Sequence, residues 1–324
     1  MNEACAVAHP NLALAKYWGK LDREGNYPAV PSLSVTLAGM RTKTRVRLDP
    51  KLSADRLVLN GEEAQGPDLF RAVKLMDRVR ALSGTNQRAE IVSDNDFPTA
   101  SGIASSASGF CALALAASRA FGLDLGADRV SSLARESSAS AARSVYGGFV
   151  ELLAGAESAK QVAPPEHLDL VVVVCVAGEG KKKDVGSTDG MKRTAAKSPY
   201  YRAWLEQAPR TFADLRAALL AKDFEKMGEL AEASALAMHA AAMAAGVVYF
   251  NGVTLDALDA VRELRAHGLP AYATVDAGPH VKVLVAAADA DAARGHMASV
   301  PGVLRVIQAA PGEGARPALS EEAP

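Results

Sequence analysis

The chain has 324 residues, 49% of them apolar and 23% charged, with 36 basic against 37 acidic side chains and a formal net charge of −1. That length and apolar content support one large domain or two medium ones around a substantial core, and exclude a mainly disordered chain. The near balance of charge excludes a global field that would draw in nucleic acid or an anionic membrane, so any anion site must be local.

The segment HPNLALAKYWGKLD groups Lys16, Tyr17, Trp18 and Lys20 around a strand, either as the wall of a site or as an edge strand with solvated lysines. Residues 32–48 alternate apolar and polar side chains with many β-branched residues, the pattern of a half-exposed strand or hairpin. Short strands are expected at 56–59 and 89–93. Between them, Leu69, Val73, Met76, Val79 and Leu82 recur at helical spacing ahead of Gly84, which predicts an amphipathic helix with a glycine C-cap.

FPTASGIASSASG, ending at Gly109, then leads into a helix over 106–121 whose apolar positions Phe110, Leu113, Ala117 and Phe121 share one face. A helix start exposes unpaired N–H groups and partial positive charge, and the small residues let an anion approach the backbone. The stretch lacks the GKS/T end of a Walker loop. A serine N-cap on an ordinary core helix accounts for it equally well.

A helix over 127–142 follows, then ESSASAARSVYGGF, where Ser138 and Ser140 precede Arg143; its fork suits a carboxylate or phosphate, but the same arginine also suits a helix C-terminus. The valine run from 168 to 177 reads as a central strand covered on both faces. It falls far short of the ~20 residues that span a bilayer, and the N-terminal residues show no basic segment leading into an apolar stretch. Cys5, Cys111 and Cys175 lack CxxC spacing, so a reducing, cytoplasmic setting is expected.

GEGKKKDVGSTDGM reads as a loop entering a helix, in which the run Lys181 to Lys183 has the ordinary reading of solvated charge. Helices are expected at 198–220, 223–245 and 254–267. A strand pair follows in AYATVD and HVKVLVAA, then a helix near 289–298 and a strand near 303–307. Asp276 at a strand end could serve as a general base, although Asp before Gly-Pro is also ordinary turn chemistry. Strands and helices mix without strict βαβ alternation, which points to an α+β fold. Residues 313–324 have little to bury and are expected to be a disordered tail.

In wording and order, KYWGK, FPTASGIASSASGF, SASAARSVYGGF, KKKDVGSTDGM and VDAGPH resemble the motifs of diphosphomevalonate decarboxylases, a branch of the GHMP kinase superfamily, over about residues 5–286. The resemblance implies the GHMP kinase fold. Residues 1–185 would form an ATP-binding domain like the second domain of ribosomal protein S5, and 186–312 a ferredoxin-like α/β sandwich, with the active site between them. It implies a cytoplasmic homodimer that uses ATP and Mg²⁺ to convert mevalonate 5-diphosphate to isopentenyl diphosphate, with no nucleic-acid or membrane partner.

On that resemblance, Asp276 acts on the substrate 3-hydroxyl, Lys16 steadies the charge of phosphoryl transfer, and Arg143 grips the substrate carboxylate. Tyr17, Lys20, Ser138 and Ser140 position the substrate. Pro98, Ser101, Gly102, Ala104, Ser105, Ser106 and Ser108 cradle ATP, with Ser106 nearest the metal and Ser187 near the phosphates. His239 matches a family histidine in altered surroundings and is left outside the catalytic set. Four features depart from the family pattern: Val30-Pro31-Ser32, Ala139 and Ala142 in the segment normally read as Gly-Ser-Ala-Cys-Arg, His280 in place of the Asn of DAGPN, and Thr188 where some bacterial relatives carry Arg. The last permits a monophosphate substrate, so a relative acting on mevalonate 5-phosphate, or one stopping after 3-phosphorylation, is the competing reading. A non-catalytic GHMP-like binding protein is a remote one, since it would be expected to have lost one of these charges.

Overall fold

The structure is a computed structural model and describes residues 2–97, 105–177 and 185–318. Strands β1 (Glu3–Ala8), β2 (Asn11–Ala15), β3 (Ser32–Thr36), β4 (Thr42–Leu48), β5 (Arg56–Leu59) and β6 (Glu62–Glu63) lead to helix α1 (Gly66–Ser83) and β7 (Ala89–Asn95). Helices α2 (Ser105–Ala120) and α3 (Ala127–Ser137) precede a 3₁₀ segment, Ala139–Val145, then β8 (Phe149–Leu152), β9 (Lys160–Ala163) and β10 (Leu170–Ala177). The remainder comprises α4 (Ser187–Lys197), α5 (Tyr201–Leu220), α6 (Phe224–Met243), α7 (Gly252–Ala266), β11 (Tyr272–Val275), β12 (Val281–Ala286), α8 (Ala290–Ala298), β13 (Val303–Ala309) and β14 (Arg316–Pro317). The α+β expectation holds.

A six-stranded sheet in the order β14-β1-β4-β7-β5-β6 carries α1, α2 and α3. Helix α1 ends as expected at Gly84, whose φ of 71° is left-handed and whose N–H returns to the Arg80 carbonyl. Its buried stripe is Ala72, Leu75, Met76 and Val79, so Leu82 at the end of the predicted stripe stays exposed. Helix α2 is enclosed almost all round, which its small alanines permit by letting the sheet and both neighbouring helices come close.

The second sheet runs β2-β3-β8-β9 and the third β11-β12-β10-β13. In the third, β10 is central and antiparallel to both neighbours. Val172 and Val174 face a core shared with α5, α6 and the second sheet, whereas Val173 and Cys175 face α7 and α8. Burial on both faces explains the unbroken valine run.

Three expectations change. Residues 32–48 do not form one half-exposed hairpin, because β3 is wholly buried in the second sheet and β4 belongs to the first. The division at 185 groups β10 with the N-terminal half, but its ladder hydrogen bonds put it at the centre of the third sheet. The tail expected to be disordered is ordered through residue 318. Gly312 N–H donates to the Thr36 carbonyl, the Gly148 N–H to the Gly312 carbonyl and the Ala315 N–H to the Val145 carbonyl, before β14 pairs with β1. Backbone hydrogen bonding, not side-chain burial, holds this strap, and a Cβ on Gly314 would stand 2.6 Å from the Val145 carbonyl oxygen. Residues 319–324 lie outside the described set.

Candidate active site

Lys16 leaves the end of β2, Asp276 the end of β11, and Arg143 lies in the 3₁₀ segment after α3. The three converge on one cleft of roughly 1220 Å³, also lined by Tyr17, Lys20, Ser138, Ser140, Ser106 and Ser187. Two of the quoted motifs pack against each other to form its wall. The Trp18 indole donates to the Thr194 hydroxyl at 3.1 Å, and Gly190 lies so close that a Cβ there would meet Trp18 at 3.0 Å and the Tyr249 hydroxyl at 2.5 Å. The glycine of STDGM thus lets α4 dock on the tryptophan of KYWGK, which brings Ser187 and Thr188 to the cleft.

Asp276 sits between two ammonium groups. Lys16 Nζ donates to Oδ1 at 2.7 Å, and Lys282 Nζ lies 3.3 Å from Oδ2. Burial by itself would raise the Asp276 carboxyl, but the two lysines outweigh it and hold the group well below the usual carboxylate range, so it is ionised. Lys16 is buried and also donates to the Ala13 carbonyl at 2.9 Å; burial pulls its ammonium downward while Asp276 opposes that pull.

Arg143 is 2% exposed and donates to Ser34 Oγ at 3.0 Å, Ser32 Oγ at 2.8 Å and Asn11 Oδ1 at 3.2 Å. All three are neutral oxygens, and among the described residues no carboxylate lies within ion-pair distance of it. Burial lowers its guanidinium to about 10. A buried cation supported only by neutral acceptors at the edge of a cleft is prepared for an anion from outside. Ser32, within the departure at Val30-Pro31-Ser32, therefore has a defined task in holding the arginine.

Tyr17 turns its hydroxyl into the interior with no hydrogen-bond partner among the described residues, and burial raises its pKa. Lys20 donates to Asn26 Oδ1 at 2.6 Å and lies 3.3 Å from the Thr188 hydroxyl; burial, with Arg71 and Lys192 nearby, lowers its ammonium to about 8. The Ser138 and Ser140 hydroxyls are 3.0 Å apart. Ser106 is exposed at the start of α2, but Ser108 is not at the cleft: it is fully buried and accepts from Thr42 Oγ1 at 2.6 Å, bracing α2 on the sheet. Pro98, Ser101, Gly102, Ala104 and the run Lys181 to Lys183 lie outside the described residues, as does the Ser105 side chain.

A second cavity of about 390 Å³ meets the cleft at Ser106 and Arg71. Leu57, Leu59, Ile91, Phe110 and Leu113 line it, with Asn60, Ser93 and Asn95 among its neutral polar groups and Glu62, Asp68 and Arg71 as charged ones. Apolar walls with a few polar groups suit a heterocycle whose charged part reaches into the cleft. These residues come from β5, the turn after it, β6, α1, β7 and α2, so no local motif announced them. Among the described residues no cluster of three His, Cys, Asp or Glu could hold a metal ion. A magnesium ion carried on phosphates needs only one or two protein oxygens, and the exposed Ser106 hydroxyl at the junction of the cavities fits that need.

His239 is buried on α6, with Nε2 3.2 Å from the Val275 carbonyl. A carbonyl only accepts, so Nε2 carries the proton. Burial lowers the ring to about 4, and its neutral form braces the residue before Asp276. His280 accepts the Ala177 N–H on Nδ1 at 2.9 Å, a bond that an Asn side-chain oxygen could equally make.

Residues 8–163 match the diphosphomevalonate decarboxylase-like N-terminal domain, and residues 171–305 the mevalonate 5-diphosphate decarboxylase C-terminal domain. The chain is 36% identical over 288 residues to the phosphomevalonate decarboxylase of Haloferax volcanii, covering 87% of each. Its structure is similar to that of mevalonate diphosphate decarboxylase from Staphylococcus aureus, with a TM-score of 0.92, 36% identity and 98% of both chains covered. It is also similar to MDDEF in complex with MVAPP, AMPPCP and magnesium, with a TM-score of 0.91, 36% identity and coverage of 98% and 99%.

Proposed function

The chain belongs to the diphosphomevalonate decarboxylase family, and on that premise we propose how its own residues carry the reaction. It catalyses the ATP-dependent decarboxylation of mevalonate 5-diphosphate to isopentenyl diphosphate, ADP, phosphate and carbon dioxide. The observation that carries the assignment of roles is the pairing, in one cleft, of an ionised Asp276 held by Lys16 with a buried Arg143 that lacks a carboxylate partner among the described residues.

A 3-hydroxy acid keeps its carboxylate because hydroxide leaves poorly and the carboxylate electrons need a destination. Bound ATP and Mg²⁺ supply a phosphoryl group for the tertiary hydroxyl and neutralise charge on the phosphates. Asp276 accepts the hydrogen bond of that hydroxyl and aims its oxygen. The depressed basicity of Asp276 suits orientation, with the hydroxyl proton passing to its carboxylate late in the transfer, as a loose phosphoryl-transfer transition state allows. Lys16, beside it, stabilises the negative charge that accumulates during transfer. Arg143 holds the carboxylate by two N–H groups while the bond between C2 and the carboxylate breaks and its electrons form the C2–C3 double bond as phosphate departs from C3.

Tyr17, Lys20, Ser138 and Ser140 bind the rest of the substrate, and Ser106 and Ser187 the phosphates of ATP. A homodimer in the cytoplasm completes the proposal; no helix among the described residues is long and apolar enough to cross a membrane. A mevalonate 5-monophosphate substrate is the second reading, favoured by the 36% identity to the Haloferax volcanii enzyme and by Thr188, a neutral residue beside Lys20. Purified protein incubated with Mg-ATP and each phosphorylated mevalonate, with ADP and carbon dioxide followed together, tests both. Equal ADP and carbon dioxide from the diphosphate is expected. ADP without carbon dioxide would sink decarboxylation, and turnover of the monophosphate alone would replace the substrate.

A further inference from the structure

Lys282 is a lysine where strand patterning calls for an apolar residue. On β12 it is paired with Thr274 of β11 and Val174 of β10, and it shares a sheet face with Leu284. That face is the inner one, since Leu284, Val172, Val174 and Tyr272 all pack into the core shared with α5 and α6. Lys282 is 2% exposed there, although the alternation in HVKVLVAA reads equally well with the lysine on a solvated face. Taking an ammonium out of water costs several kcal/mol in effective terms unless a partner offsets it. Asp276 offers such a partner, at 3.3 Å through Oδ2, the oxygen opposite the one bonded by Lys16.

We propose that Lys282 is a positioning residue for the reaction: it anchors the Oδ2 edge of Asp276, so that the Oδ1 edge with Lys16 is presented to the substrate hydroxyl. This rests on the decarboxylase reading above. The two lysines divide the work. Lys16 comes from the chain end of β2 and lines the cleft, whereas Lys282 is fixed by its strand register and does not line it. One ammonium can therefore respond to substrate while the other keeps the carboxylate plane in place. Among the described residues, the other charged or titratable groups coupled to this cluster are Arg143 from the 3₁₀ segment, His239 from α6 and the buried Cys175 thiol from β10. His239 senses Lys16, Asp276 and Lys282 together, so the test must read Asp276 itself.

The experiment compares Lys282→Met and Lys282→Arg with the wild type, after circular dichroism has established that each is folded. Carbon-13 labelling of aspartate carboxyls, with the Asp276 resonance assigned through Asp276→Asn, follows its titration without substrate. In Lys282→Met the carboxyl should titrate at higher pH, and the acid limb of kcat/KM should move the same way. Its kcat should fall roughly 100-fold, with the KM for Mg-ATP within about threefold of wild type, and Lys282→Arg should recover most of the loss.

An unmoved Asp276 titration overturns the proposal, as does a kcat close to wild type. If Lys282→Met does not fold, Lys282→Gln carries the same measurements. Failure of both neutral variants to fold, beside a fully active Lys282→Arg, would reduce the residue to a structural one and overturn positioning. Wild-type turnover of mevalonate 5-diphosphate is measured first. Its absence counts against the function, while the carboxyl titration still judges Lys282.

Discussion

Two ion-paired carboxylates, Asp55 and Asp276, have similar company and opposite settings. Asp55, just ahead of β5, has a fully buried side chain and takes a two-pronged bond from Arg80, with Nη1 to Oδ1 at 3.0 Å and Nη2 to Oδ2 at 2.6 Å. The Ala89 N–H adds a third at 3.0 Å. Asp77 also pairs with Arg80, and Arg88 lies near both acids, so two carboxylates balance two guanidiniums. Asp276 is 27% exposed to the cleft and, among the described residues, has Lys16, Lys282 and Arg143 around it. Ion pairing is common to both. The opening to a cavity marks the functional one, because its carboxylate and the cations around it can meet a ligand.

Four outcomes would break or sharpen that contrast. Asp276→Asn should remove the acceptor for the hydroxyl and lower kcat by roughly 10³-fold or more while leaving nucleotide binding largely intact, read by steady-state kinetics and by calorimetric titration with an ATP analogue. Activity near wild type would end the distinction between the two sites. Asp55→Asn should do the reverse, costing about 3 kcal/mol in urea unfolding with kcat unchanged in the folded fraction, since Arg80 loses its two-pronged partner.

Arg143→Lys should lower kcat/KM by roughly 10- to 100-fold, because a point charge replaces a planar fork whose other donors are held by Ser32, Ser34 and Asn11. Unchanged kinetics would remove Arg143 from the carboxylate site. The smallest effect concerns acid. The folded-state pKa of Asp276 lies below its unfolded value of about 3.9, so its stabilisation is fully present above that value and lost as pH falls through the folded one. Urea melts taken downward from pH 5 should show a loss of stability that is reduced in Asp276→Asn. An identical slope in the two proteins would mean that the Lys16 and Lys282 pairing does not hold the carboxylate ionised.

The legible parts were those whose information is local. Gly84 ends α1 because only a residue tolerant of positive φ closes that turn, and the valine run marks β10 because burial on both faces removes polar alternation. Lys16, Arg143 and Asp276 stood out through the motifs around them, and they share one cleft. Lys282 was illegible: a strand's alternation separates its two faces but does not say which one another layer covers. Asn11, Ser32 and Ser34 looked like ordinary strand residues until Arg143 was seen between them. Ser108 misled in the other direction, since its place in a serine-rich start hid the turn of the helix that aims it at Thr42.

The sequence by itself determined the class of fold, most of the helices and strands, and, through its motifs, the charged groups of the reaction, because periodicity, caps and short motifs act over a few residues. Only the tertiary structure decided that β3 and β4 part into different sheets, that β10 joins the second half, and that the glycine-rich tail is a backbone strap. It also decided that Asp276 has two lysines rather than one. Each of these depends on hydrogen bonds, close approaches or desolvated charges between segments far apart in the chain, and such partners exist only once the layers have packed.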